Sequence, residues 1–278
     1  MARLALTRED GAMKIAALQM VSTPDVDRNL VAAERLIAQA AADGVRLAAL
    51  PEYFCLMGRS DRDKLAVAEA DGEGPIQAFL SQAAKRHGLW LVGGTLPMAT
   101  ESPDRVRNSC CAYGPDGQRV ARYDKIHLFA FDNGRERYDE GRVLQAGDTP
   151  VAFDADGQRV GLSVCYDLRF PELYRSLMQP PCDLLLVPSA FTYPTGQAHW
   201  ELLLRARAVE NQCYVLAPAQ GGLHENGRRT WGHSLVIDPW GEVLACVPEG
   251  EAVVAAELSA ERLVEVRQQL PALGHRRL

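Results

Sequence analysis

The sequence predicts an α/β fold in which two sheets lie face to face between outer helices. Three observations carry this expectation. Apolar strand-like runs alternate with amphipathic helical stretches along the first hundred residues. Hairpins closed by Pro-Asp-Gly, Ala-Asp-Gly and Asp-Pro-Trp-Gly turns are then threaded through later helical segments. Finally, RLAALPEYF (46–54) and DLLLVPSAF (183–191) repeat one design: an apolar strand closed by proline, then a polar residue, then an aromatic two positions on. Two such units point to two helix–strand layers sharing a core, with Glu52 and Ser189 at equivalent strand ends, where α/β proteins place their sites. A Rossmann-type domain fits less well, because no G-x-G-x-x-G follows the first strand.

Taken in order, IAALQM (15–20) reads as a buried strand. Residues 27–44 carry apolar side chains at 30, 33, 36, 37 and 40, a helical period ended by Gly44. VRLAAL (45–50) is a strand stopped by Pro51, and 74–88 is a second amphipathic helix with Pro75 near its start and Gly88 at its end. LWLVGGTL (89–96) is the next strand. The hairpins cover 108–128, 153–166 and 235–247, and helical stretches return at 170–179, 198–212 and 259–270, the last with Ser259 as its N-cap. No Pro/Ser/Gly-rich linker divides the chain, so 13–278 reads as one domain.

Composition narrows the function. The chain has 278 residues, 47% of them hydrophobic and 24% charged, as in an ordinary globular protein. Its net charge of −6, without a long basic run, argues against nucleic acid or an anionic membrane as partner. No stretch approaches the roughly 20 apolar residues that span a bilayer. The opening MARLALTREDGA is too charged for a secretory signal, and Met13 begins a better first strand, so residues 1–12 are expected to be an extension outside the fold. The seven scattered cysteines form no C-x-x-C pair and no zinc-type spacing with histidine, which points to a reduced, cytoplasmic protein without a structural metal; no cofactor is expected.

Three reactive residues sit where apolar segments end: Glu52, Lys125 in YDKIHLF, and Cys165 in VGLSVCYDLRFPE. Singly, they read as a surface carboxylate, a solvated strand-end cation and a core thiol. Together they form a chemical kit. A free thiol has a pKa near 8.5, so a carboxylate within reach can take its proton, and an ammonium can stabilise the thiolate and then a tetrahedral oxyanion. That is sufficient for acyl transfer at an amide. The other six cysteines lack a comparable cluster of charged partners and read as structural.

LPEYF, YDKIHLF and CYDLRFPE, in this order and at these separations, resemble the three signatures of the carbon–nitrogen hydrolase (nitrilase) superfamily, and the match runs from Met13 onward. The resemblance implies an αββα sandwich that pairs into a homodimer, acting on a small-molecule amide. It implies Glu52 as general base, Lys125 as oxyanion stabiliser, Cys165 as nucleophile, the Tyr166 backbone N–H as second oxyanion donor, and Glu140 as a supporting glutamate. The downstream half, PSAFTYPTGQAHWELLLRARAVENQ through GHSLVIDPWGEV, resembles the branch acting on deaminated glutathione, whose sister branch contains ω-amidases on 2-oxoglutaramate. An α-keto acid substrate needs a cation or a hydrogen-bond donor at the far wall of the pocket. Arg169, four residues past Cys165, is the candidate, with an ion pair to Glu172 or Asp167 as its alternative; Ser189 and Phe191 are candidate pocket residues.

Rival readings use other residues. A papain-like hydrolase would pair Cys165 with His127, His199 or His233, but leaves Lys125 idle. A non-catalytic binding protein on the same fold would need none of the three. A zinc amidase lacks its ligand spacing.

Overall fold

The computed structural model describes residues 12–132, 134 and 137–277. Its first part runs β1 (Ala12–Gln19), α1 (Val26–Ala42), β2 (Leu47–Ala49), α2 (Asp63–Ala66), α3 (Pro75–His87), β3 (Trp90–Val92), β4 (Leu96–Ala99), β5 (Val106–Tyr113) and β6 (Arg119–Asp124). A small hairpin follows, β7 (Ala130–Asp132) and β8 (Arg137–Asp139). The remainder is β9 (Val151–Ala155), β10 (Gln158–Leu162), α4 (Pro171–Ser176), β11 (Leu184–Leu186), α5 (Tyr193–Asn211), β12 (Tyr214–Ala217), β13 (Ser234–Ile237), β14 (Val243–Val247), β15 (Ala252–Ser259) and α6 (Ala260–Gln269). Residues 1–11 of the expected extension lie outside the described residues, and Ala12 pairs with Ser259 at the head of β1.

One sheet has the order β15-β1-β2-β3-β5-β4, with β6 also on β5; the other has the order β14-β13-β12-β11-β10-β9. Each contains a parallel triplet, β1-β2-β3 and β10-β11-β12. Such strands are covered on both faces, which is why they read as unbroken apolar runs. Along β1, Ile15 and Ala17 face a core shared with Val160, Leu184 and Leu235 of the second sheet. The alternate residues Ala16 and Leu18 pack with Leu36 and Ile37 of α1 and Leu80 of α3. Trp200 and Leu204 of α5 cover the second sheet from outside. The architecture is the expected αββα two-sheet sandwich in a single domain.

Helix ends follow their sequence signals. Asp25 caps α1 by accepting from the Arg28 N–H at 3.1 Å, and Ser259 caps α6 by accepting from the Arg262 N–H at 3.1 Å. Other boundaries differ from the sequence expectation, α4 ending at Ser176 rather than 179 and β6 at Asp124 rather than 128, and two differences have a plain cause. α5 begins at Tyr193 rather than near 198, because Pro194 occupies the first turn, where its missing N–H costs nothing. The expected strand over 89–96 breaks at Gly94, whose φ is +49° and where a Cβ would fall 2.0 Å from the Pro51 carbonyl oxygen. That close approach presses the segment after β2 against the end of β3, and the chain then crosses to the far side of β5.

The loops leaving β2 and β11 therefore emerge beside one another at the carboxyl ends of parallel strands. No helix among the described residues is long and apolar enough to cross a membrane.

Candidate active site

Pro51 ends β2 and delivers Glu52 into the interior, where it is 1% exposed. Its Oε1 accepts from Lys125 Nζ at 2.8 Å and from Asn108 Nδ2 at 3.0 Å, and its Oε2 accepts from the Ala190 N–H at 3.0 Å. Lys125 follows β6 and is tied to β5 by its N–H, which donates to the Asn108 carbonyl at 3.0 Å. Its ammonium also donates to Glu140 Oε1 at 3.0 Å and Oε2 at 2.8 Å. Glu140 is fixed in turn by the Phe129 N–H at 2.7 Å and the Tyr53 hydroxyl at 2.7 Å.

Cys165 lies where the chain leaves β10 and turns sharply. Its N–H donates to the Pro188 carbonyl at 3.0 Å, and its φ of +49° is a left-handed conformation that non-glycine residues seldom adopt. Such backbone persists only when its surroundings over-determine it. Here the fully buried Asp167 does so, accepting from the Val164 N–H at 2.8 Å, the Tyr123 hydroxyl at 2.7 Å and the His127 N–H at 2.9 Å.

The electrostatics follow from burial and pairing. Burial raises the Glu52 carboxyl, Lys125 pulls it back, and the result stays above the ordinary value. Burial opposes charge on Lys125 too, but Glu140 and Glu52 outweigh it and hold the ammonium above its usual range. Burial would raise Glu140, yet Lys125 and the Phe129 N–H keep its carboxyl below the usual range. For Cys165, burial and then the Glu52 charge push the thiol well above its ordinary range, against weaker opposition from Lys125. At rest the sulfur is therefore a neutral thiol, and a thiolate forms only if a base takes the proton.

Glu52, Glu140 and Cys165 open onto one small cavity, lined also by Tyr53, Phe129 and Thr192. Lys125 lies behind them, bonded to both carboxylates. Tyr166, Arg169 and Phe191 line the same cavity. Arg169 stands 5.6 Å from the Phe191 ring centroid and 5.9 Å from that of Tyr166, and its Nη1 is 3.3 Å from His199 Nδ1. Among the described residues it makes no ion pair with Glu172 or Asp167; the Asp167 carboxylate is occupied by the turn it holds.

Ser189 departs from expectation. It is fully buried with its hydroxyl donating to the Val187 carbonyl at 2.9 Å, and it does not line the cavity. None of the three histidines lines it either. His127 stacks on Phe170 with Nδ1 2.7 Å from Asp167, His199 meets Arg169, and His233 stacks on Trp231. Sequence reasoning passed over Asn108, Tyr53, the Ala190 N–H and Arg228, all of which bond to the cluster or line the cavity. No group of His, Cys, Asp or Glu among the described residues is arranged to hold a metal ion.

The sequence profile of the family described as "Carbon-nitrogen hydrolase" matches residues 14–268. The chain is 42% identical to a deaminated glutathione amidase of Synechocystis sp., over 94% of this chain and 97% of that one. It is 38% identical to the human omega-amidase NIT2, over 96% of this chain and 95% of that one. In three dimensions it is similar to the C. elegans NitFhit protein, with a TM-score of 0.89 and 37% identity, covering 96% of this chain and 66% of that longer one. A buried carboxylate and thiol on one cavity of this sandwich, with an ammonium bonded to the carboxylate behind it, accord with that match: the chain belongs to the carbon–nitrogen hydrolase family, and it is an enzyme acting on amide bonds.

Proposed function

We propose that the chain is a cysteine-nucleophile amidase that hydrolyses deaminated glutathione to 2-oxoglutarate and cysteinylglycine. Glu52 and Cys165 on a single cavity, with Lys125 bonded to Glu52 behind it and the Arg169 guanidinium on its wall, carry this reading. Glu52 takes the Cys165 proton as the sulfur attacks the amide carbon. Lys125 and the Tyr166 N–H stabilise the oxyanion. Protonating Glu52 also removes one of the two carboxylates that bind Lys125, so the ammonium turns to the oxyanion at the moment it forms. The tetrahedral adduct then collapses, Glu52 gives its proton to the departing amine, and a thioester remains. Glu52 next removes a proton from water, which attacks the thioester and releases the acid and the free thiol. Glu140 stays ionised and keeps Lys125 in place.

Arg169, sheathed by Phe191 and Tyr166, suits the α-keto carboxylate of the acyl group. The similarity to an omega-amidase supports 2-oxoglutaramate as the second reading. Deaminated glutathione, 2-oxoglutaramate, intact glutathione, glutamine and an N-carbamoyl amino acid, assayed side by side, decide between them. The expected order puts deaminated glutathione first. Intact glutathione should fall at least ~10³-fold lower, because its α-ammonium would be left unpaired beside a guanidinium. Equal rates on the two glutathione forms would remove the substrate assignment and leave the cysteine chemistry standing.

Lys125→Met tests the oxyanion role. Loss of one preorganised donor costs roughly 10²–10³ in kcat, with a much smaller change in substrate binding. Weaker binding at unchanged kcat would reassign Lys125 to anchoring the substrate.

A further inference from the structure

The cavity carries a second guanidinium that the chemistry above leaves unused. Arg228 lies in the loop between β12 and β13 and lines the cavity together with Arg169. Its guanidinium stands 5.1 Å from the Tyr138 ring centroid and, among the described residues, faces no carboxylate within ion-pair distance. Its neighbour Arg229 is paired with Glu249 at 2.8 Å, so the loop sends one arginine to the surface and the other inward.

The two cavity arginines occupy different sides. Arg169 belongs to the turn of Cys165 and stacks on Tyr166 and Phe191. Arg228 belongs to the side of the carboxylates: it stands over Tyr138, whose ring meets Phe129 at 5.9 Å, and the Phe129 N–H holds Glu140, which shares Lys125 with Glu52. In the proposed reaction Glu52 protonates the departing amine, so the leaving group must lie on the Glu52 side. Deaminated glutathione is anionic at both ends, with one carboxylate on the acyl portion and one on the glycine of the leaving dipeptide. 2-Oxoglutaramate carries only the first, and its leaving group is ammonia.

We propose that Arg228 determines specificity for the leaving group, receiving the terminal carboxylate of the departing dipeptide while Arg169 receives that of the acyl portion. This rests on the reading of deaminated glutathione as substrate. The full-length chain and its Arg228→Gln variant are compared on three substrates: deaminated glutathione, the same compound with its glycine carboxylate converted to an amide, and 2-oxoglutaramate. The expected result is a 10- to 100-fold fall in kcat/KM on deaminated glutathione, the scale of a hydrogen bond to a charged group, carried by KM with kcat changed less than about twofold. The other two substrates, which lack that carboxylate, should change less than about twofold, and the unsubstituted enzyme should itself disfavour the amide by a similar factor. An equal loss on all three would make Arg228 a structural residue, and no loss on deaminated glutathione would remove the contact; either overturns the proposal. Failure of the unsubstituted enzyme to cleave deaminated glutathione, with 2-oxoglutaramate still turned over, would instead overturn the underlying substrate reading.

Discussion

Cys165→Ala abolishes amide hydrolysis while the fold survives: this is the largest effect expected from a single substitution here. Without the sulfur no thioester forms, and loss of a nucleophile in a comparable hydrolase costs on the order of 10⁶ in turnover. The replacement removes one atom from a site already 8% exposed, so thermal unfolding should move little. Alanine keeps the N–H that donates to Pro188, and with it the turn. Mass spectrometry after a rapid quench with substrate should find an acyl adduct on Cys165 in the unsubstituted enzyme and none in the variant. A variant retaining more than about 1% of turnover would exclude Cys165 as nucleophile.

Glu52→Gln comes second, with a loss of roughly 10²–10⁴ from the removal of general base and acid. The pH profile separates this from mere disturbance of the cluster. Turnover requires ionised Glu52 beside a neutral thiol. Burial holds the Glu52 carboxyl above its ordinary 4.5, so kcat/KM should fall on the acid side along a limb displaced upward from that value. The residual activity of the glutamine variant should lack that limb. Both Glu52 oxygens accept hydrogen bonds from donors, so an amide places N–H against N–H on one side. Some loss of thermal stability is therefore expected as well. An acid limb that persists in the glutamine variant would assign it to another group and make Glu52 a structural acceptor.

The candidate catalytic residues were legible in sequence because each sits at a punctuation mark: Glu52 after a strand-ending proline, Lys125 after a hairpin, Cys165 at the end of a strand. What surrounds them was not. Asn108 reads as one polar residue in a strand, and only pairing of β5 with β6 sets it beside Lys125. The Ala190 N–H has no signature, since a backbone donor carries no residue preference. Arg228 and Arg229 are chemically identical neighbours, and the β-bridge between Leu223 and Arg229 decides which turns inward. Ser189 failed for a related reason. Matching strand ends place residues at matching heights, but its hydroxyl finds a nearer partner in the Val187 carbonyl. The first turn of α5 contains Gly196, a weak helix former whose place there is set by tertiary packing: a Cβ would lie 2.2 Å from that of Trp231.

Holding Cys165 as a neutral thiol also governs how the enzyme meets oxidants. Sulfenic acid formation and thiol–disulfide exchange begin at the thiolate, and a buried, uncharged sulfur resists both. Burial places the Cys55 thiol at about 12 and those of Cys111 and Cys182 at about 11, so these sulfurs share the protection. Cys246, on β14, is the exposed cysteine among the described residues and lies outside the catalytic cavity. Cys246 is thus the sulfur that a reagent reaches without entering the cavity, whereas modification of Cys165 requires the reagent to enter it and Glu52 to accept the proton.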